Sequence, residues 1–586
     1  MENLKYAEIL QLNKAMVGKI STKPYSIAVL SNVTVNSFKE ILEYSCRSNQ
    51  IEPAIEIGNF DNIVQDSAVL NKKDLVIVFY DTLNIVDSVS GFFEDLDDAT
   101  YNGLKQKLVS ELSIVFENLK NTPSVIFNLF SASYFPNNFL SNTKINAFVD
   151  ELNAFVKQNA PSNFNLIDIN AIYTQLGIKQ CIDHRFYLSS KAPYTVLFLK
   201  NYVLAIETVI LKNCGRLKKA ILFDCDNTLW KGIIGEDGME GIDMSSTSKA
   251  GAFYHKIQQI AVLLSKKGVI VGLCSKNNEA DVLEVLRTHK DMILKEEHIV
   301  ITKINWQDKA SNLRAIAAEL NIGTDSLVFI DDSNFEINLI KEQLPEIVTI
   351  QVPTNATEYP DLVLKNIYKY FNLAPNSDDI KKTQMYKEQF QRENSKSAFG
   401  SIEDYLASLE IELKILKDDK AYVPRIAQLT QKTNQFNLTT YRYTENQIEQ
   451  FMNDPKCSVY AMFVKDKFGD NGLTGVCIVK EDKENSKNAI IDSLLMSCRI
   501  IGRNIEYVYV STIIENVASK GYQTLNAQYI PTKKNAQVEP FYENVGLQLK
   551  DTNDGIKSYS LDLKNFKNKN IDYIKVVSNL TEKIDN

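Results

Sequence analysis

The chain is 586 residues long, 44% hydrophobic and 24% charged, which excludes a fibrous or disordered protein and predicts three or four domains, since one core cannot organise so many residues. Its 73 acidic residues outnumber 65 basic ones for a net charge of −8, which argues against a dedicated nucleic-acid binder or a protein of anionic membrane surfaces. Eight cysteines stand singly without a CxxC pair, four histidines lack ligand spacing, no apolar run approaches ~18 residues, and the charged start MENLKYAEIL has no secretion-signal core, so the expectation is a cytoplasmic chain with reduced thiols, no membrane span and no histidine-based metal site.

Along the first 212 residues, short apolar runs alternate with helical patterns. Tyr25–Leu30, Asp74–Phe79, Ser124–Leu129 and Asn165–Asp168 read as buried parallel strands, and Ser37–Arg47 and Lys144–Val156 carry the three- and four-residue apolar spacing of crossover helices. A long helix, Val196–Leu211, leads out. A second α/β domain is expected over 218–375, with strands Ala220–Phe223, Val269–Cys274, Ile299–Ile301 and Ser326–Ile330 and helices Phe253–Lys266, Glu279–Arg287 and Lys309–Leu320. This alternation predicts a doubly wound sheet with ligands at the strand C-terminal ends. Residues 376–409 read as a charged linker with an exposed helix near Ile380–Arg392. An α+β domain follows over 410–565, with strands Glu410–Leu416, Val459–Val464, Gly475–Lys480 and Ala489–Met496 and helices near Arg425–Leu429 and Glu506–Lys520. The Lys/Asn-rich tail, 566–586, reads as a surface helix or a partly disordered end.

The most informative stretch is Ile221-Leu-Phe-Asp224-Cys-Asp226-Asn-Thr228. An apolar strand empties into two carboxylates two residues apart, followed by a hydroxyl; one carboxylate can attack a phosphate while the next points at the leaving group, and a hard cation such as Mg²⁺ would screen both. Three other strand ends of the same domain deliver matching groups. Ser275-Lys276 offers a hydroxyl, an ammonium and backbone N–H groups to phosphate oxygens, Lys309 opens a helix, and Asp331-Asp332 closes a strand. Taken singly these are a turn hydroxyl, a solvated lysine and a helix cap pair; together on one sheet edge they read as a phosphoryl-transfer site.

Their order resembles the haloacid dehalogenase (HAD) superfamily, and Asp226-Asn-Thr-Leu-Trp-Lys-Gly-Ile-Ile-Gly-Glu-Asp-Gly238 resembles its FkbH-like, IIIC-type branch. The resemblance implies Asp224 as nucleophile, Asp226 as general acid then base, Ser275 and Lys309 as stabilisers of phosphate charge, and Mg²⁺ held by Asp224, the Asp226 carbonyl oxygen and Asp331 or Asp332, with Thr228 and Lys276 beside the phosphate. Gly232–Gly238 then reads as a flap built on a tight hairpin. The sequence departs from the family pattern at Lys231, Ser333-Asn334 and Ile337.

In the C-terminal domain, Lys467–Gly475 reads as a hairpin, and Arg499-x-x-Gly502-Arg503-Asn504 resembles the pyrophosphate loop of GNAT acyltransferases, with Asn in place of the last Gly or Ala. Asn535 and Tyr542 fit the second GNAT landmark, where the tyrosine serves as acid to a leaving thiolate. Cys498 stands beside Arg499 and at the expected opening of a helix, both of which favour a thiolate; FkbH-like proteins carry the same Ser-Cys-Arg run, which implies a cysteine that holds an acyl group. Cys225, between the aspartates, reads as a core residue. The N-terminal domain resembles an SGNH-hydrolase, flavodoxin-like fold in which Asn32 stands for the nucleophile and Cys181 for the Asp of a DxxH ending at His184, and so is expected to be non-catalytic, a substrate- or carrier-binding domain.

The whole therefore resembles an FkbH-like enzyme. The resemblance implies that a glyceryl unit passes from 1,3-bisphosphoglycerate to Cys498, that the remaining phosphate leaves through Asp224, and that the unit moves to the phosphopantetheine thiol of an acyl carrier protein; CoA is the alternative pantetheine cofactor. No ATP-binding P-loop is present. The alternative reading is a plain Mg²⁺-dependent phosphatase with a non-catalytic GNAT-like domain. Neither nucleic acid nor membrane is an expected partner.

Overall fold

Runs of β-branched and aliphatic residues become strands buried on both faces because helices cover both sides of a parallel sheet. In the computed structural model, which describes residues 1, 4–20, 24–135, 142–373, 385–386, 388–389, 392, 399, 401–532, 534–566, 568, 571–578 and 580, the chain forms two compact units. One comprises Met1–Cys214 with Tyr443–Gln450, the other Gly215–Arg442 with Phe451–Asn586. The expected linker helix near Ile380–Arg392 lies mostly outside the described residues. No described helix is long and apolar enough to cross a membrane.

The first unit holds a parallel sheet of β1 (Tyr25–Ser31), β2 (Pro53–Ile57), β3 (Leu75–Phe79), β4 (Val125–Asn128) and β5 (Phe164–Ile167) in the order β2-β1-β3-β4-β5, the flavodoxin-like arrangement. Every residue of β3 and β4 is buried. Helices Phe38–Ser48 and Val196–Asn213 pack on one another, as do Ile63–Val69 and Asp98–Leu119.

The second unit contains two sheets. The middle one is parallel and takes the order β10-β9-β6-β7-β8, from β6 (Ala220–Phe223), β7 (Ile270–Ser275), β8 (Ile301–Ile304), β9 (Leu327–Asp331) and β10 (Val348–Gln351). This is the HAD-like, doubly wound layout, with β6 central and its C-terminal end flanked by those of β7 and β9. The C-terminal sheet is mixed: β11 (Ile411–Lys417), β13 (Cys457–Asp466), β14 (Gly469–Glu481), β15 (Asn488–Met496), β16 (Thr524–Tyr529), β17 (Gln548–Asn553), β18 (Ile556–Asp562) and β19 (Ile574–Ser578) run β17-β18-β16-β15-β14-β13-β11-β19. Its hairpin turns at Lys467-Phe468, tighter than the expected loop. The parallel pair β15/β16 stays together only over Asn488–Ile491 and Thr524–Ala527, and the far end of β15 pairs with the two-residue strand β12 (Phe436–Asn437) instead. The described part of the tail holds a strand where a surface helix was expected: β19 adds to the edge of β11 in parallel, because an unpaired strand edge offers backbone groups that any extended segment can satisfy. Residues 581–586 lie outside the described residues.

Candidate active site

Four buried residues of β6 carry the backbone to Asp224, whose N–H still bonds to Ile330 of β9 at 2.9 Å. The chain then turns sharply. Asn227 takes a left-handed φ of 51°, a conformation that asparagine tolerates better than most residues, and its side chain accepts the Gly232 N–H at 3.0 Å. The turn drives Trp230 into the core and brings its indole N–H to Asp226 Oδ1 at 2.9 Å. The Ile234 N–H reaches the same oxygen at 3.0 Å, and Asn277 Nδ2 reaches Oδ2 at 2.7 Å. The expected flap hairpin is instead a short helical segment, Ile234–Gly241, kinked at Gly238 and closed by a Lys231–Asp243 bridge. At Gly232, φ is +101° and a Cβ would meet the Asp237 carboxylate, so glycine is required there.

Lys309 stands in the first turn of helix Lys309–Glu319, capped by Asp308. Its ammonium is buried between Asp224 Oδ1 at 3.0 Å and Asp331 Oδ2 at 2.6 Å. Burial works against its charge, but the two carboxylates outweigh burial and hold it well above the ordinary lysine range. Asp224, Asp331 and Asp332 each offer an oxygen, all within 4.8 Å of one another. Three hard oxygen donors with neither thiolate nor imidazole suit Mg²⁺ and fit no soft metal. Burial, with the Asp224 charge added, raises Asp331 and Asp332 above the usual carboxylate range, a state that a divalent cation would relieve. The Asp226 carboxylate is outside this cluster and accepts three N–H donors; the part implied for Asp226 in metal binding is its carbonyl oxygen. Burial raises Asp226 as well, and the N–H donors oppose the rise.

Ser275 ends β7, buried, and its carbonyl accepts the Asn305 N–H at 3.1 Å. Thr228 Oγ1 is buried with no hydrogen-bond partner among the described residues. Lys276 is drawn to Glu336 at 2.6 Å, while the other Glu336 oxygen is buried without a partner among the described residues. Trp230, Asn277 and Glu336 belong to this site although sequence reasoning gave them no role. The signals were adjacency to Thr228, to Ser275-Lys276 and to the paired aspartates.

The C-terminal candidates divide differently. Arg499 and Arg503 are buried; Arg503 bonds to Asp466 at 2.9 Å and to the Arg499 carbonyl at 2.8 Å. Asn504 is left-handed at φ 62°, and its side chain donates to the Tyr573 hydroxyl at 2.7 Å. Asn535 holds the Asn437 and Ile530 carbonyls at 2.9 and 3.0 Å, and Tyr542 is buried in the core. Cys498 does not open a helix: it begins a single 3-10 turn, Cys498–Ile500, and the left-handed Gly502 and Asn504 separate it from helix Ile505–Ser519. It is half-buried, its carbonyl accepts Asn321 Nδ2 at 2.7 Å, and it packs against the cluster containing Leu320, Ile322 and Tyr386.

In the N-terminal domain Asn32 is a brace, its amide donating to the Asp81 carbonyl at 2.9 Å and accepting the Asp81 N–H at 2.7 Å. Ser31 donates to the Val33 carbonyl, Cys181 is buried, and His184 is exposed at the start of a short helix.

No protein-family model matches the chain, and no curated protein matches it. Among solved structures, it is similar to the N-terminal part of protein BF1531 from Bacteroides fragilis, which contains a phosphatase domain and is complexed with Mg. The two share 21% identity over 63% of this chain and 100% of that one, with a TM-score of 0.54. That likeness is one of fold. An acetyltransferase of the GNAT family from Desulfovibrio desulfuricans (11% identity, 26% of this chain and 99% of that one, TM-score 0.21) and the IAA acetyltransferase of Bacillus cereus (14%, 26% and 99%, 0.20) also align, too loosely to carry an argument.

Proposed function

We propose that the chain is a Mg²⁺-dependent phosphomonoesterase whose C-terminal domain transfers an acyl group through Cys498. The observation that carries the reading is the buried Lys309 ammonium joining Asp224 to Asp331, inside three mutually close carboxylates, with Asp226 fixed alongside. Asp224 attacks the phosphorus and Asp226 protonates the leaving oxygen. Asp226 then takes a proton from water as that water attacks the aspartyl-phosphate, releasing phosphate and restoring Asp224. Ser275 and Lys309 balance charge on the phosphate oxygens. Bound magnesium would screen the carboxylates from the incoming phosphate dianion; the Mg-bound Bacteroides phosphatase domain of the same fold supports that choice.

The finer reading is FkbH-like. The Cys498 thiolate attacks the acyl carbon of 1,3-bisphosphoglycerate and expels the acyl phosphate, the remaining phosphate ester is hydrolysed through Asp224, and the glyceryl thioester passes to the pantetheine thiol of an acyl carrier protein in the cytoplasm. A second reading, a plain phosphatase with a binding-only C-terminal domain, is favoured by the Arg503–Asp466 pair and by β12, which occupies the opening between β15 and β16.

The test is phosphate release with and without Mg²⁺, paired with intact-protein mass spectrometry after incubation with acyl phosphates. Asp224→Asn is expected to abolish Mg²⁺-dependent release, and unchanged turnover would remove Asp224 as nucleophile. A thioester adduct that disappears in Cys498→Ala supports acyl transfer; no adduct with any donor, alongside intact phosphatase turnover, selects the second reading.

A further inference from the structure

The middle domain exposes large apolar side chains at the edge that carries its chemistry. Trp306 and Phe335 are 76% and 70% exposed, and Ile233 is 37% exposed. Ile233 lies past the end of β6, Trp306 past β8 and Phe335 past β9, beside Asp224, Ser275 and Asp331. The surrounding backbone is pinned, so the exposure is built in. The Asn305 N–H bonds to the Ser275 carbonyl at 3.1 Å, the Asn305 and Asn312 amides bond to each other at 2.9 and 3.3 Å, and the Gln307 N–H returns to Asn305 Oδ1 at 2.9 Å. Trp306 is carried between these neighbours. Phe335 stands in the first turn of helix Asn334–Gln343, whose entry is fixed by the Ser333 N–H on Asp331 Oδ1 at 2.8 Å. That helix packs with Lys309–Glu319 over the sheet face formed by Ala220 and Leu222, which puts Trp306 and Phe335 on one side of the mouth. The segment after Ile233 packs with helix Glu279–Thr288 over the opposite face, that of Ile221 and Phe223. A group leaving past Asp226 therefore emerges between an aliphatic lip and an aromatic one. Exposed apolar surface of this kind marks a binding site.

The charges at this edge decide what the emerging group can be. Asp224, Asp226, Asp331, Asp332 and Glu336 stand against Lys276 and Lys309, so that even bound magnesium leaves these groups with no excess of positive charge. Lys309 is held between Asp224 and Asp331, and Lys276 by Glu336 at 2.6 Å. One phosphate is served by the metal and Lys309; a second anionic group would meet carboxylates and aromatic rings in place of a counter-ion. We infer that Trp306 and Phe335 seat the uncharged remainder of the phosphate ester, and that the Lys276–Glu336 pair turns away a remainder bearing its own negative charge. The inference rests on the reading of Asp224 as phosphatase nucleophile and names the substrate class of that site. A phosphate ester ending in a carboxylate or a second phosphate is a poor substrate, and the same ester becomes a good one when that end is an uncharged thioester. Where the donor is 1,3-bisphosphoglycerate, the charge that departs with the acyl phosphate is the charge that kept the ester from Asp224.

The test uses full-length protein with Mg²⁺ and a matched pair of esters, 3-phosphoglycerate and its N-acetylcysteamine thioester, read as phosphate release. The wild type is expected to favour the thioester in kcat/KM by about tenfold or more. Trp306→Ala and Phe335→Ala should each narrow that preference through a higher KM for the thioester. Glu336→Gln should narrow it from the other side, by freeing Lys276 and raising kcat/KM for the free acid, and Lys276→Met in that background should cancel the gain. Tryptophan emission gives a readout without turnover. The chain has two tryptophans and Trp230 is buried in the core, so Trp306 supplies the solvent-exposed emission. The phosphonate analogue of the thioester should shift that emission to shorter wavelength, and the phosphonate analogue of the free acid should leave it in place. Equal kcat/KM for the two esters in the wild type, or alanine variants that lose both equally, overturns the inference. Emission that shifts with protein concentration alone assigns the aromatic lip to a second copy of the chain and overturns it as well. Release from neither ester, or release that persists in Asp224→Asn, is instead a failure of the phosphatase reading, and the inference falls with it.

Discussion

Asp226 must give a proton to a leaving oxygen and later take one from water, so its carboxyl has to be held at a fixed distance from the phosphate. Trp230, Ile234 and Asn277 do this with three N–H donors at 2.7–3.0 Å. Removing a donor loosens the acid without touching nucleophile or metal ligands. Trp230→Phe and Asn277→Ala are therefore expected to lower kcat/KM for an alkyl phosphate about tenfold or more, since positioned acid–base catalysis is worth roughly 10²–10⁴. Against an aryl phosphate whose phenolate leaves without protonation, the loss should be small. Equal losses on both substrates would mean that the residues serve only packing. In the N-terminal domain, Asp81 is buried with Tyr134, Tyr194 and the Leu83 N–H all donating to its carboxylate. Burial nonetheless raises it above the usual value, these donors opposing the rise. A raised folded value means that the folded state prefers the protonated carboxyl. The stability Asp81 contributes is then full in acid and is lost as pH climbs through that value. Asp81→Asn is expected to raise the melting temperature at pH 7 by a few degrees, on the order of 1 kcal/mol, with the gain shrinking toward pH 4; a loss of stability at pH 7 would show the charge to be favourable.

At the level of elements, the strands that build the middle site were legible because Ala220–Phe223 and Leu327–Asp331 are continuous apolar runs ended by acids, and burial on both faces enforces that pattern. The tail strand was not legible. Of Ile574–Ser578 only Ile574 is buried, so backbone pairing to β11 alone decides its conformation, and no hydrophobic pattern records it. β12 is two residues long, below any periodicity, and exists because Asn535 receives it. That side chain is fully buried and joins the Asn437 and Ile530 carbonyls to the Thr532 N–H and hydroxyl. Reading Asn535 as a cofactor contact missed this, since an amide that donates and accepts can bind a ligand or brace a loop equally well. Asn535→Ala leaves several buried polar groups unsatisfied and is expected to cost about 3 kcal/mol, measured by urea unfolding, whereas a surface-like change below 0.5 kcal/mol would deny it the bracing role. Asn504, where the sequence departs from Gly or Ala, takes a left-handed φ of 62°, a conformation that asparagine tolerates better than most residues.

For the whole molecule, the sequence announced separate domains but not which of them cooperate. Among the described residues, the middle and C-terminal sheets are tied by the polar contacts of Asn321 with the Cys498 carbonyl and of Lys534 with Asp325, and by Cys498 packing near Leu320 and Ile322, and such contacts leave no spacing rule to read. They place both sheets in one compact unit, distinct from the unit built on Met1–Cys214. A chain of this kind should not unfold in one step. Calorimetry is expected to resolve two transitions, and magnesium should act on only one of them, because Asp224, Asp331 and Asp332 all belong to the second unit. An ion that binds the folded site alone stabilises it by RT ln(1 + [Mg²⁺]/Kd), about 2.7 kcal/mol at a hundredfold excess over Kd. That unit's transition should therefore climb with magnesium concentration and fall back on chelation, while the other stays fixed. Asp331→Asn should flatten the response by removing one oxygen donor from the three. If both transitions move together, or if the response survives in Asp331→Asn, magnesium is acting elsewhere than at the end of β9, and the carboxylates there owe their closeness to Lys309 alone.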